Sequence, residues 1–82
     1  MELKDTIKLM WSADYKDRFK AEYYQLKIRK EKLSNMLDKY DEVDTLGFNP
    51  KCSYKLLSYQ LECMNEYLEV LEERAKIEDI KL

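Results

Sequence analysis

Apolar residues recur along this 82-residue chain at spacings of three and four, the period of one helix face. The longest register holds Tyr15, Phe19, Tyr23, Leu26, Lys30, Leu33, Leu37 and Tyr40, spaced 4, 4, 3, 4, 3, 4 and 3. It predicts a helix over about 13–42, heptad-like from Phe19 onward. A second register, Leu57, Leu61, Met64, Leu68, Leu71 and Ala75, predicts another helix over about 53–77, with Ser53 as its N-cap. A shorter pattern, Leu3, Ile7 and Met10, predicts a helix over about 2–11 that is too short to persist alone. It has to dock, and Trp11 at its end is the expected anchor. Ser12 reads as the N-cap of the long helix that follows. Asp14 then falls in the first turn, where the helix dipole favours an acid.

The break between the long registers is "DEVDTLGFNPKCS", which holds the only Gly and the only Pro. Gly47 suits a positive φ, and Pro50 forces Asn49 towards an extended conformation. Leu46 and Phe48 are expected to tuck back under this connection, a loop over about 43–52. A loop this short makes the two long helices antiparallel neighbours. The tail, 78–82, carries Ile80 and Leu82 without a Gly or Pro stop, and reads as a frayed last turn or an extended segment packed on a neighbour. The fold class is all-α: one helical domain over 1–82, an antiparallel two-helix hairpin with a short N-terminal helix.

Both long helices carry more apolar surface than one partner covers. On the second, Leu56, Gln60, Cys63, Tyr67 and Val70 run one residue round from the main seam. On the first, Ala21, Tyr24 and Ile28 cluster opposite the seam and hint at a second contact. Two helices alone bury little. The expectation is therefore a helical homo-oligomer. Its oligomer or partner interface draws on Tyr24, Ile28, Leu57, Leu61, Met64, Leu68 and Leu71.

Composition narrows the chemistry. There is no His, so the commonest general base and zinc ligand is missing. No Gly-rich phosphate loop or nucleophile elbow is present. Cys52 and Cys63 lack a CxxC spacing or an activating His; Cys63 reads as a small core residue and Cys52 as loop packing. The abundant carboxylates, as in "EVLEERAKIEDI", read as a solvated face. These absences point away from an enzyme, a metal centre or a cofactor. No apolar run is long enough for a transmembrane helix and no signal peptide is legible, so a cytoplasmic setting is expected.

Net charge is −2, but it is uneven. Residues 1–40 hold ten Lys/Arg against seven Asp/Glu, and residues 41–82 hold five against ten. The two halves can neutralise each other as paired helices, or the first half can offer a basic surface to an anion. Arg18, Lys27, Arg29, Lys30 and Lys32 lie on one helix with Tyr15, Tyr23 and Tyr24 interleaved. Cations bind phosphate and tyrosine rings stack on bases. The candidate ligand-binding set is Arg18, Tyr23, Lys27, Arg29 and Lys30. An acidic chain argues against duplex DNA, so the ligand would be a small nucleotide.

Lys30 sits in the middle of the apolar seam, with Arg29 and Glu22 on one shoulder. Three readings stand open. Its stem is buried and its amine snorkels to water. It fixes register or oligomeric state at a cost in stability. Or it lines a pocket where symmetry gathers several cations, which would need Glu22 or an external anion.

The segments "MELKDTIKLM", "YKDRFKAEYYQLKIRKEKL", "TLGFNPKCSYKLL" and "YLEVLEERAKIEDIKL" resemble a family of small uncharacterised phage and prophage proteins of gut bacteria, crAss-like phages among them. The resemblance covers nearly the whole length. It departs at Lys30, where an aromatic is more usual, and at Asp79, where a Gly is. It brings no catalytic residues. It implies a small accessory protein acting in the cytoplasm of an infected bacterial host. Three classes of function follow. One is an anti-defence protein that sequesters an anionic nucleotide immune signal without cleaving it. Another is a helical inhibitor or adaptor laid on a host protein. The third is a structural or assembly helper of the phage particle.

Overall fold

A computed structural model of the chain describes residues 1–40 and 51–82. The expectations for Leu46, Gly47, Phe48 and Pro50, and for most of the connection that holds them, lie outside the described residues. Those that are described form a 3₁₀ turn, Leu3–Thr6, and three helices: α1, Ile7–Met10; α2, Tyr15–Asp38; and α3, Tyr54–Ile77. Among the described residues there is no strand.

The start of α2 corrects the sequence reading. Its N-cap is Asp14, with extended backbone, whose Oδ1 accepts from the Lys16 N–H at 2.9 Å. Ser12 does a different job. Its hydroxyl accepts from the Asp14 N–H and donates to Asp17 Oδ2, bracing the turn ahead of the helix. At α3, Ser53 is the cap, accepting from the Leu56 N–H at 3.1 Å.

The long helices pack antiparallel. Tyr15, at the start of α2, meets Arg74 and Glu78 at the end of α3, and the Tyr40 and Tyr54 rings meet edge to face at the other end. Between them the seam residues interdigitate. Phe19, Tyr23, Leu68, Leu71, Ala75 and Ile80 form the buried cluster, with Tyr24 and Leu26 packed on it. Burying one such large side chain contributes on the order of 1.5–3 kcal/mol. Towards the other end Leu33, Leu57, Leu61 and Met64 are half-buried, and Leu37 is buried.

The tail closes the dense end. Asp79 has φ 58°, the left-handed region, and the Ile80 N–H returns to the Ala75 carbonyl at 2.8 Å. That hydrogen-bond pattern is a Schellman-type stop. It turns Ile80 back into the core at 6% exposure, while Lys16 Nζ donates to the Asp79 carbonyl.

The N-terminal segment docks on α2 by a polar contact. Trp11, the expected anchor, is 84% exposed, whereas Thr6 is 0% exposed. The Thr6 hydroxyl donates to the Leu3 carbonyl and accepts from Gln25 Nε2 at 2.9 Å, so its buried polarity is fully used. Gln25 also reaches the Met10 sulfur. Ala21, on the same side of α2, is buried.

Candidate functional site

The helix period explains why Arg18 and Arg29 line one groove. They are eleven residues apart, about three turns, and so project from one side of α2. Between them on that side stand Glu22 and Gln25. The N-terminal segment lies along one flank and α3 along the other, which leaves an open groove of about 420 Å³. Its lining is Met10, Arg18, Glu22, Gln25, Arg29 and Tyr67, floored by Ala21 and Leu26.

The polar side chains of this groove other than Arg29 each have a structural tie. Arg18 Nη1 donates to the Ser12 carbonyl at 2.8 Å, which holds the guanidinium at the groove's N-terminal wall. Tyr67 donates its hydroxyl to Glu22, which fixes the ring across the two long helices. Gln25 is held by Thr6 and Met10. Arg29 is exposed. The result is two guanidinium groups, one carboxylate already taken by Tyr67, an amide and an aromatic ring around one concave surface. That donor set suits phosphate and a planar ring.

Tyr23, Lys27 and Lys30 fall elsewhere. They line a second groove on the other side of the helix pair, with Asn65, Leu68, Glu69 and Glu72. Tyr23 donates to Glu72 Oε2 at 3.3 Å, and burial, followed by the Glu72 charge, pushes its phenol pKa up. Lys30 is half-buried there, beside Leu68 and two carboxylates. Acids on this side answer the lysines, so the groove offers an anion less than the first does. The set read from sequence is thus divided, with Arg18 and Arg29 in one groove and Tyr23, Lys27 and Lys30 in the other.

Tyr24 and Ile28 are half-buried and border a small recess with Met1, Lys27 and Glu31. Leu68 and Leu71 are buried against α2 within the single chain. The exposed apolar surface of α3 is the neighbouring stripe, Leu56, Tyr59, Tyr67 and Val70. Cys63 lies exposed with it, which corrects the reading of this thiol as a core residue. Tyr67 is the groove residue that sequence reasoning missed. Its place follows from the register that the Tyr15–Arg74 contact sets, which puts residue 67 level with residue 22, and the sequence carries no signal for that register.

Among the described residues no group of three or more His, Cys, Asp or Glu side chains could hold a metal. No helix among them is long and apolar enough to cross a membrane. A search of curated proteins and a search of solved structures each returned no match. A family model described as Sequestin matches residues 13–77, which takes in both long helices. The name denotes sequestration, the holding of another molecule by binding, and specifies no ligand.

Proposed function

Since the chain belongs to the Sequestin family, we propose that it works by binding without catalysis, and that its ligand is a small anionic nucleotide held in the Arg18–Arg29 groove. The observation that carries this reading is the convergence of two arginines three turns apart with the Tyr67 ring on one concave surface. The guanidinium groups take phosphate oxygens in paired hydrogen bonds, and the ring stacks on a base. A groove of about 420 Å³ is within the size range of small-molecule sites. The sequence resemblance to phage-encoded proteins supports a setting in the cytoplasm of an infected bacterium. There the held molecule is a nucleotide immune signal and the protein an anti-defence sponge, acting as a homo-oligomer.

Titration calorimetry against cyclic oligonucleotides and ADP-ribose-type signals tests this reading. Wild type should bind at least one of them, and Arg18→Ala and Arg29→Ala should each weaken it tenfold or more. No binding tighter than millimolar across that panel removes it. The reading as a helical inhibitor of a host protein drew on Tyr24 and Ile28. Their half-burial beside Met1 leaves that patch smaller than the sequence implied, and so favours the nucleotide.

A further inference from the structure

Trp11 is the chain's one tryptophan, and it is 84% exposed. A lone exposed apolar side chain assigns nothing by its exposure. The place of this one does. Met10, before it, forms part of the wall of the Arg18–Arg29 groove, and the carbonyl of Ser12, after it, holds Arg18. Successive Cα atoms are ~3.8 Å apart, so the indole springs from the rim of the groove, one residue from the hold on Arg18. Trp11 is not itself in the groove's lining.

The backbone beneath the indole is fixed. The Trp11 N–H donates to the Ile7 carbonyl at 3.2 Å, and the Ser12 N–H donates to the Leu9 carbonyl at 3.4 Å. The Ser12 hydroxyl is tied to Asp14 and Asp17, and the Thr6–Gln25 bond clips the segment to α2. What is left free is the side chain, which has two rotatable bonds and is ordered at low entropic cost. Tyr67 stands on the opposite bank, its hydroxyl bonded to Glu22. One ring is therefore tied down on the α3 flank, and a second is free to turn on the N-terminal flank.

From this arrangement we propose that Trp11 is a ligand-binding residue: its indole folds over the groove and stacks on the planar ring of the ligand, on the face turned away from Tyr67. This rests on the nucleotide reading and adds to it what selects the ligand. Two guanidinium groups take any phosphate, pyrophosphate included. A base held between two aromatic rings separates a nucleotide from a bare phosphate, because only the nucleotide has a π-face to offer. The arginines supply the grip and Trp11 the choice. An indole standing in water gains from covering another ring, which gives the closure its driving force.

Because Trp11 is the only tryptophan, its emission reads the motion directly. The probes are ADP-ribose and cyclic di-AMP, one for each kind of signal in the calorimetry panel, with pyrophosphate as the ring-free comparison. An adenine probe that binds the full chain should quench Trp11 emission and shield it from acrylamide, in step with the calorimetric heat. Trp11→Ala should weaken that probe about tenfold, the loss of one stacked ring, and Trp11→Phe should restore most of it. Pyrophosphate should bind wild type and Trp11→Ala equally weakly, and the two proteins should melt at the same temperature. An adenine probe that binds wild type and Trp11→Ala equally tightly overturns the inference and leaves the nucleotide function standing. So does an equal loss for pyrophosphate, which means that the ring props the bank and selects nothing. If wild type binds neither adenine probe, the function proposed above falls and this inference with it.

Discussion

The Arg74 guanidinium carbon sits 5.0 Å from the centroid of the Phe19 ring. The same group donates from Nη2 to the Tyr15 hydroxyl at 2.6 Å and from Nε to Glu78 at 3.0 Å. One cation on α3 therefore ties an aromatic ring, a phenol and a carboxylate where α2 begins and α3 ends. Cation–π attraction and directed hydrogen bonds both favour arginine's planar fork over a lysine amine.

Arg74→Lys should consequently lower the melting temperature nearly as far as Arg74→Ala. Phe19→Ala, which also empties a buried site, should cost about 3–5 kcal/mol. Thermal unfolding of the three variants checks the order, and a lysine variant as stable as wild type contradicts it.

Asp79 holds a left-handed backbone that a side chain penalises. Asp79→Gly should stabilise the chain by up to about 1 kcal/mol, less whatever entropy the glycine costs the unfolded chain. Denaturant titration reads this directly. A destabilised variant would mean that the aspartate side chain, rather than the turn, matters here.

Stability should fall towards both ends of the pH scale. Hydrogen bonds from Tyr15 and then Arg74 hold the Glu78 carboxyl below its ordinary value. A depressed carboxylate contributes stability above its unfolded pKa and loses it as pH falls through the folded one. The bond to Glu78, followed by burial, raises the Tyr15 phenol above its ordinary value. That contribution is complete below the unfolded pKa of 10.0 and is lost as pH rises through the folded one. Melting temperatures across pH should show a plateau between the carboxylate and phenol ranges. Tyr15→Phe should remove the alkaline limb that Tyr15 supplies and weaken the acid one.

Thr6→Val leaves Gln25 and the Leu3 carbonyl without their shared partner. The cost should be about 1–2 kcal/mol, felt first in the N-terminal segment. Hydrogen exchange should rise in residues 1–12 before it rises in α2 or α3. Uniform acceleration would show that the segment and hairpin unfold as one.

The two grooves should respond differently to truncation. Arg18→Ala or Arg29→Ala should reduce nucleotide affinity tenfold or more, the loss expected of a charge-assisted hydrogen bond worth about 1.5–3 kcal/mol. Lys27→Ala and Lys30→Ala should change it by less than about threefold, a loss of under ~1 kcal/mol. Equal losses from both pairs contradict the division.

The long helices were legible because the side chains in their seams, Lys30 apart, repeat one message. Phe19, Tyr23, Leu68 and Leu71 recur at the helix period, and all are buried. The site was less legible because its cations share a helix but not a side. Arg29 and Lys30 are adjacent in sequence and about 100° apart around the axis, which sends them to different grooves. The docking of residues 1–12 was hidden for another reason. Bulk marked Trp11 as the anchor, but the contact is made by a small hydroxyl with two partners, and hydrophobic periodicity does not register such a group. Asp79 gave no sign of its backbone conformation beyond the resemblance that favours glycine there.

The family match begins at residue 13, yet Met10 is part of the groove wall and Ser12 holds Arg18. The hairpin supplies the arginines and Tyr67, and the dozen residues before it supply the opposite bank. Under the function proposed above, ligand preference would rest on residues 1–12 as well as on the hairpin. Exchanging residues 1–12 for another sequence, with Thr6 kept as the clip to Gln25, would recut the groove without touching the buried seam.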